Sequence, residues 1–410
     1  MNLSNRVTDA CAALTTAAIF FLPFSKSAAE VAGITALCLW TLFGPAGRFR
    51  RVPREVFLLY AVFLVATVVS LINVPAPYLA DSLRGVLKWI KYLGFFFMSA
   101  DLFGEPARFR RLVSVFMASL FLVVLNGLYQ MWTGADLIKH YTVDIPGRFI
   151  RMTSSFSAPN GLAAFLLMGV PLTFVVWYRQ KSWSLNSVGL VALLTLFSTA
   201  LAMTLTRAAI LALAVAATIN VIRRVPKATW VLAAGFTAFL TSSRFIFDIY
   251  VKSLQLSDIT VSERLRVWKT TWAMISHHPF IGNGVNTYFK LFPSFMPPEE
   301  TFRGYAHNCY LQMWSEIGLI GAVAFTAALV WMFTKKLAAP QRDPLDGALW
   351  VGLTALALQS AVDTNFYSLQ TATLFWVFWG AFCGSANVAN AAYSETGNSW
   401  SRSRSFAVSR

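Results

Sequence analysis

The chain has 410 residues, of which 57% are hydrophobic and 13% charged, and it carries a formal net charge of +16. A soluble domain has about 25% charged residues, and a soluble chain of this length divides into several domains, so the composition excludes an ordinary globular protein. The positive balance does not point to nucleic acid: Lys and Arg stand in short clusters between apolar runs rather than on one basic face, and phosphate head groups suit such clusters better.

Apolar runs recur at about 20 residues, the length a bilayer requires. They predict spans near 8–24, 28–46, 55–73, 86–103, 112–132, 160–178, 187–205, 207–222, 228–246, 317–335, 346–362 and 370–388. The expected fold is therefore an all-α, polytopic integral membrane protein of about 12 transmembrane helices. Residues 1–246 hold the first nine spans, 247–316 form one large loop, 317–388 hold the last three, and 389–410 make a Ser/Arg-rich tail expected to be disordered. The first apolar run leads straight into the second, so it reads as a retained helix, not a cleaved signal. Cys11, Cys38, Cys309 and Cys383 lack the spacing of a metal knuckle or a disulfide framework.

Loop charge sets the orientation. With twelve spans, the clusters Arg48/Arg50/Arg51/Arg54, Arg108/Arg110/Arg111, Arg179/Lys181, Arg223/Arg224/Lys227, Lys335/Lys336/Arg342 and Arg402/Arg404/Arg410 all fall on the side of the N-terminus. The positive-inside rule makes that side cytoplasmic. The loops near 74–85, 133–159, 206, 247–316 and 363–369 then face the other way.

The polar stretch Val261–Gly321 is the expected reaction site. Ser262 can cap a helix there, with Glu263 in the first turn. Val261, Leu265, Trp268, Trp272 and Ile275 predict one apolar stripe. At about 100° per residue Arg264 borders that stripe and Arg266 points nearly opposite. Arg264 suits a held anion or a lipid-phosphate anchor, whereas Arg266 suits solvent. His277 and His278 close the helix before Pro279; adjacent histidines diverge and fit dipole compensation better than a metal. Gly282 and Gly284 flank Asn283 in a turn that could let backbone approach a phosphate. His307 precedes a short helix with Tyr310, Leu311 and Trp314. Its imidazole could accept a hydroxyl proton or simply hydrogen-bond at the interface. Glu263, Glu299 and Glu300 lack an apolar setting and make weaker candidates.

Four further basic positions stand at outer span ends. Arg207 lies between two spans with almost no loop around it, an interfacial charge that is a site candidate by default or a snorkelling arginine. Arg84, Lys88 and Lys91 are spaced by four and three, so they share a helix face. Such a stripe suits a diphosphate or anionic lipid. Asp81 and Asp363 lie on the same side without an evident partner.

The series Arg264-x-x-x-Trp268, HP-x-x-G-x-G from His278 to Gly284, H-N-x-Y-L from His307 to Leu311, and E-x-G-x-x-G from Glu316 to Gly321 resembles the signature of the O-antigen ligase and polymerase superfamily. The resemblance implies a GT-C-like transferase of the Gram-negative inner membrane, with a periplasmic loop carrying the catalytic motifs and no metal or other cofactor. Its donor would be a glycan on undecaprenyl diphosphate, its acceptor the lipid A–core oligosaccharide in lipopolysaccharide biosynthesis. Arg207 and Arg264 would hold the diphosphate, helped by Arg84, Lys88, Lys91 and Arg266. His307 would activate the acceptor hydroxyl for one inverting displacement, with Asn308, Tyr310, Gly282 and Gly284 shaping the pocket. An O-antigen polymerase or protein O-oligosaccharyltransferase of the same superfamily is the near alternative. A lipid-linked glycan transporter is the distant one: it predicts broken helices in two related halves and polar residues at mid-bilayer, whereas the charge stands mainly at span ends and the sequence shows no internal repeat.

Overall fold

The computed structural model describes residues 3–44, 49–142, 151–180, 184–224, 258–297, 304–338 and 344–384. Among them the regular structure is helical, with one isolated bridge pairing Ala135 and Thr142. The helices are α1 (Leu3–Phe21), α2 (Lys26–Phe43), α3 (Arg54–Val69), α4 (Leu79–Leu102), α5 (Pro106–Thr133), α6 (Pro159–Tyr178), α7 (Leu185–Met203), α8 (Arg207–Arg224), α9 (Asp258–His277), α10 (Cys309–Ala338), α11 (Pro344–Gln359) and α12 (369–384). A helix stands at each expected span but 228–246, which lies outside the described residues, as does the tail 389–410.

Six of the described helices are long and apolar enough to cross a membrane: Lys26–Phe43, Arg54–Asn73, Pro106–Thr133, Pro159–Tyr178, Leu185–Met203 and Cys309–Lys336. The helix ends carry ordinary stop and start chemistry. Ser25 and Ser184 accept N–H bonds as N-caps of α2 and α7. Pro106 and Pro159 open α5 and α6, where a missing N–H costs nothing. Gly134 ends α5 in the left-handed conformation, φ 89°. Inside the apolar helices the buried hydroxyls of Thr15, Thr67 and Thr173 are satisfied by the carbonyl four residues back.

The chain forms two compact units. The first holds α1, α2, α5, α12 and the α4 residues from Ile90 onward. There α1 packs on α2 and α5, and α12 meets α4 through Gly380 and Gly384, where an added methyl would strike the carbonyls of Phe96 and Ala100. Its polar end is a loop closed by Asp136, which accepts the N–H groups of Ile138, Lys139 and Tyr141 at 2.9, 2.9 and 2.6 Å. Asn126 and Gln130 of α5 bind the same loop and Ser154.

The second unit holds the α4 residues up to Trp89, most of α3, and α6 to α11. Here α6 packs on α7, α8 and α11, and α9 packs on α10. The polar stretch builds a small core of its own from Val267, Met274, Tyr288, Phe292 and Ala306.

Two expectations for α9 are corrected. The helix starts at Asp258, so Ser262 lies within it and is not its cap. Its buried face is Val267, Thr270, Thr271, Met274 and Ile275, while Leu265 and Trp272 of the expected stripe are 58% and 54% exposed. Two threonines carry the inward face, and counting only apolar residues rotated the stripe away from them. Thr271 can sit inside because its hydroxyl meets the Val267 carbonyl at 2.7 Å and the Tyr288 hydroxyl at 2.6 Å.

Candidate functional site

The second unit is organised around a break in α10. Gly318 has φ 82° and ψ 174°, so α10 is two helices meeting at a kink. A break strands carbonyls on one side and N–H groups on the other. The turn after α9 supplies their partners. Asn283 N–H donates to the Ser315 carbonyl and Gly284 N–H to the Glu316 carbonyl, both at 2.9 Å, and Leu319 N–H donates to the Pro279 carbonyl at 2.9 Å. The Asn283 side chain adds bonds to the Met274 and Ser315 carbonyls at 2.8 and 2.9 Å. Gly282 (φ 81°) lies so close to Glu316 that a methyl group there would strike its carbonyl, and a methyl on Gly318 would strike that of Phe280. The glycines therefore serve this interlock, and the Gly284 N–H that could have met a phosphate is taken by Glu316. The same turn is tied to α4: Ser82 donates to the Val285 carbonyl at 2.6 Å, and Asn286 to that of Asp81 at 3.0 Å.

His307 stands just before α10. Its backbone is left-handed, φ 47°, which for a residue other than glycine costs on the order of 1–3 kcal/mol and tends to mark functional positions. Its Nδ1 lies 3.9 Å from the Asp363 carboxylate, an ion-pair separation longer than a hydrogen bond. Neither Nδ1 nor Asp363 Oδ2 makes a hydrogen bond. Asp363 is itself fixed by the Thr364 N–H at 2.8 Å. The loop that bears it is joined to α10: Cys309 N–H donates to the Ser360 carbonyl, and Cys309 Sγ to the Asp363 carbonyl.

Asn308 and Tyr310 frame this arrangement from the backbone. The Asn308 side chain caps α10, accepting the Tyr310 and Leu311 N–H groups at 3.0 Å each. Tyr310 donates its hydroxyl to the Ala357 carbonyl of α11 at 2.9 Å. Both hold the helix start that presents His307.

Arg264 is half-buried on α9 and Arg266 is exposed. Trp268, one turn beyond Arg264 on the same face, donates its indole N–H to the Ala306 carbonyl at 2.8 Å. That bond brings the Arg264 face of α9 against the residue preceding His307. His278, at the far end of α9, is held below the usual histidine range by burial and by neighbouring His277. Arg207 is half-buried at the first position of α8, a dipole end that disfavours a cation and attracts an anion. The residue before it, Thr206, reaches Asn160 of α6 at 3.2 Å, and Leu205 is left-handed, φ 51°.

The expected cationic stripe is divided among separate partners. Arg84 is exposed and pairs with Asp81 at 2.9 Å. Lys91 pairs with Glu30 of α2 in the first unit. Lys88 turns into the second unit, where Nζ donates to the Tyr367 carbonyl at 2.8 Å and lies 5.5 Å from the centre of that ring.

Three residues gained a role only from the structure. Asp81 and Asp363, without evident partners in the sequence, face Arg84 and His307. Glu316 is 2% exposed, so the polar stretch does hold a buried carboxyl. Its Oε1 accepts the Tyr288 N–H at 3.3 Å and the Gln312 amide at 3.4 Å. Its apolar surroundings, Trp314 to Ile320, were the available signal.

Among the described residues the architecture is all-α, six helices are long and apolar enough to cross a membrane, and a polar stretch builds a small core of its own, features that suggest a membrane protein. Residues 192–326 match the family model described as O-Antigen ligase (Wzy_C), a stretch that runs from α7 into α10 and takes in Arg207, Arg264, the interlocking turn, His307 and Glu316. This match, over about a third of the chain, supports the O-antigen ligase superfamily. No curated protein matches the chain.

Proposed function

We propose that the protein is an O-antigen ligase, a glycosyltransferase that moves a glycan from undecaprenyl diphosphate to a hydroxyl of the lipid A–core oligosaccharide. The observation that carries this reading is His307: strained, beside the Asp363 carboxylate, and adjoining the residue to which the Arg264-bearing helix is bonded. The chain would cross the inner membrane about twelve times with both termini in the cytoplasm. The segment 247–316 and the Asp363 loop would then share the periplasmic side, as would the start of α8.

The donor arrives with its leaving group already built, so the enzyme has two tasks. It must neutralise a departing diphosphate and activate a hydroxyl. Arg207 and Arg264 suit the first through permanently charged, planar donor forks. His307 suits the second: it takes the acceptor proton as the acceptor oxygen forms its bond to the anomeric carbon. The bond from that carbon to the diphosphate oxygen breaks in the same displacement, the electron pair leaves with the diphosphate, and the configuration inverts. Asp363 would steady the imidazolium so formed. Lys88 belongs to the diphosphate site in this reading. Arg84, Arg266 and Lys91 are peripheral, because their exposure or their ion pairs place their charge elsewhere.

The test is transfer in membranes by His307→Ala, Arg207→Ala and Arg264→Ala. Each is expected to lose roughly 10²-fold or more, and wild-type turnover in a correctly inserted variant would remove that residue from the mechanism. A Gram-negative strain lacking the gene should accumulate lipid-linked glycan and rough lipopolysaccharide. Single repeats left on the core would instead identify a polymerase.

A further inference from the structure

The apolar flank of α9 faces outward. Leu265, Trp272 and Phe280 each leave more than half of their surface uncovered, and Ile281 is exposed beside Phe280. A contiguous apolar patch rimmed by polar residues marks an interaction surface, and these side chains lie together. At about 100° per residue, Leu265 and Trp272 are about 20° apart around the helix. The Trp272 ring meets that of Trp314 edge-on at 5.4 Å. The Trp314 indole donates to the Pro279 carbonyl at 2.9 Å, next to Phe280. Continuity and charge indicate what covers the patch. The Phe280 carbonyl lies against Gly318, where the second half of α10 begins. That helix is long and apolar enough to cross a membrane. Along its second half Ile320, Val323 and Val330 share one face and are each more than half exposed, a face suited to lipid. The patch continues that face onto α9 and its turn. As for charge, residues 264–297 include Arg264, Arg266, Lys269 and Lys290 but no Asp or Glu. Lys269 is exposed and lies about 40° from Leu265 around the helix. Tryptophan and leucine bordered by cations fit the boundary between acyl chains and anionic head groups.

We propose that this patch is a membrane-interface surface: Leu265, Trp272, Phe280 and Ile281 enter the edge of the acyl layer of a phospholipid bilayer, with Lys269 among the head-group phosphates. α9 is too polar to cross a bilayer, and on this reading it rests on one. The surface does not depend on which reaction the site performs. One consequence does rest on the proposed function. Arg264 borders the apolar flank on the side away from Lys269, so an anion bound there would arrive from the bilayer side, as a lipid-anchored donor must.

The experiment is spin-label accessibility in the full-length protein, held in nanodiscs of phosphatidylcholine and phosphatidylglycerol. Cys38 is exposed and is first replaced by Ser; the other three cysteines are buried. A nitroxide is then attached through Leu265→Cys, through Phe280→Cys or, on the exposed polar side of α9, through Ala273→Cys. Oxygen concentrates in lipid and a nickel chelate stays in water. The ratio of oxygen to nickel collisions should be severalfold higher for labels at positions 265 and 280 than for one at 273. Labels at 265 and 280 that meet the nickel chelate as readily as the one at 273 would put the patch in water and overturn the proposal. Labels shielded from both reagents would mean that a protein, or a second copy of this chain, covers the patch, and would overturn it equally. Positions 265 and 280 are tested separately, so if one variant fails to fold the other decides. No transfer activity is needed for the measurement, so failure of the proposed reaction would be seen apart from it.

Discussion

The Gly284 N–H donates to the Glu316 carbonyl at 2.9 Å, joining a turn to a broken helix across the sequence. This bond and its neighbours explain why two glycine motifs far apart in the chain occur together. The kink at Gly318 frees carbonyls that only a close-lying backbone can reach, and Gly282 lets that backbone approach. One motif makes the gap and the other fills it.

Gly282→Ala and Gly318→Ala should therefore each destabilise the protein by roughly 3 kcal/mol or more, since each adds a methyl against a carbonyl at a positive φ. Asn283→Ala leaves the backbone free but removes the bonds to Met274 and Ser315, at a cost of about 1–3 kcal/mol. Thermal unfolding in detergent measures all three. A Gly282→Ala protein with the wild-type midpoint would show that the two segments are not interlocked.

Arg264 and Arg266 make a matched pair, one half-buried and one exposed on the same helix. Arg264→Ala should lower transfer by roughly 10²-fold, whereas Arg266→Ala should stay within about twofold of wild type. Arg264→Lys should recover only part of the loss, because an ammonium lacks the planar fork. Equal effects from the two alanine variants in a membrane transfer assay would reject the assignment by face.

Much of this was legible from residue order. Span-length apolar runs marked the helices, and Pro279 marked the end of α9. The place of His307 before a short helix also followed from sequence. What escaped was chemistry that needs a partner from elsewhere in the chain. Asp363 is 56 positions beyond His307 (363 − 307), and nothing local to either names the other. Thr271 reads as polar until Tyr288 is seen to satisfy its hydroxyl. The residues Arg84, Lys88 and Lys91 share a helix face, but spacing along one helix does not tell which neighbour each cation meets.

In the first unit, Asp136 gives a pH test independent of catalysis. Burial pushes its carboxyl up, but hydrogen bonds from Lys139, Ile138, Tyr141 and Asn126 outweigh that and hold it below the usual range. A carboxyl lowered in the folded state adds stability above its unfolded value, near 3.9, and loses it as pH falls through the folded value. Asp136→Asn should therefore be less stable than wild type at neutral pH, and the gap should close under acid conditions. A gap that stays constant from neutral to acid pH in thermal unfolding would mean that the loop does not depend on the charge.

The last prediction concerns His307 and Asp363, at 3.9 Å. The separation is too long for a hydrogen bond in the resting protein, and catalytic bonds often tighten only when substrate is bound. If Asp363 steadies a protonated His307, Asp363→Asn keeps shape and size but removes the charge that favours the imidazolium. Transfer should fall by roughly 10²-fold, with donor KM nearly unchanged, because the diphosphate is proposed to rest on Arg207 and Arg264 instead. His307→Ala should lose about as much, and the double variant little more than either single one, since residues acting as a unit are not additive. Losses that multiply in the double variant would show that the two residues act independently, and Asp363 would then have no part in activating the hydroxyl.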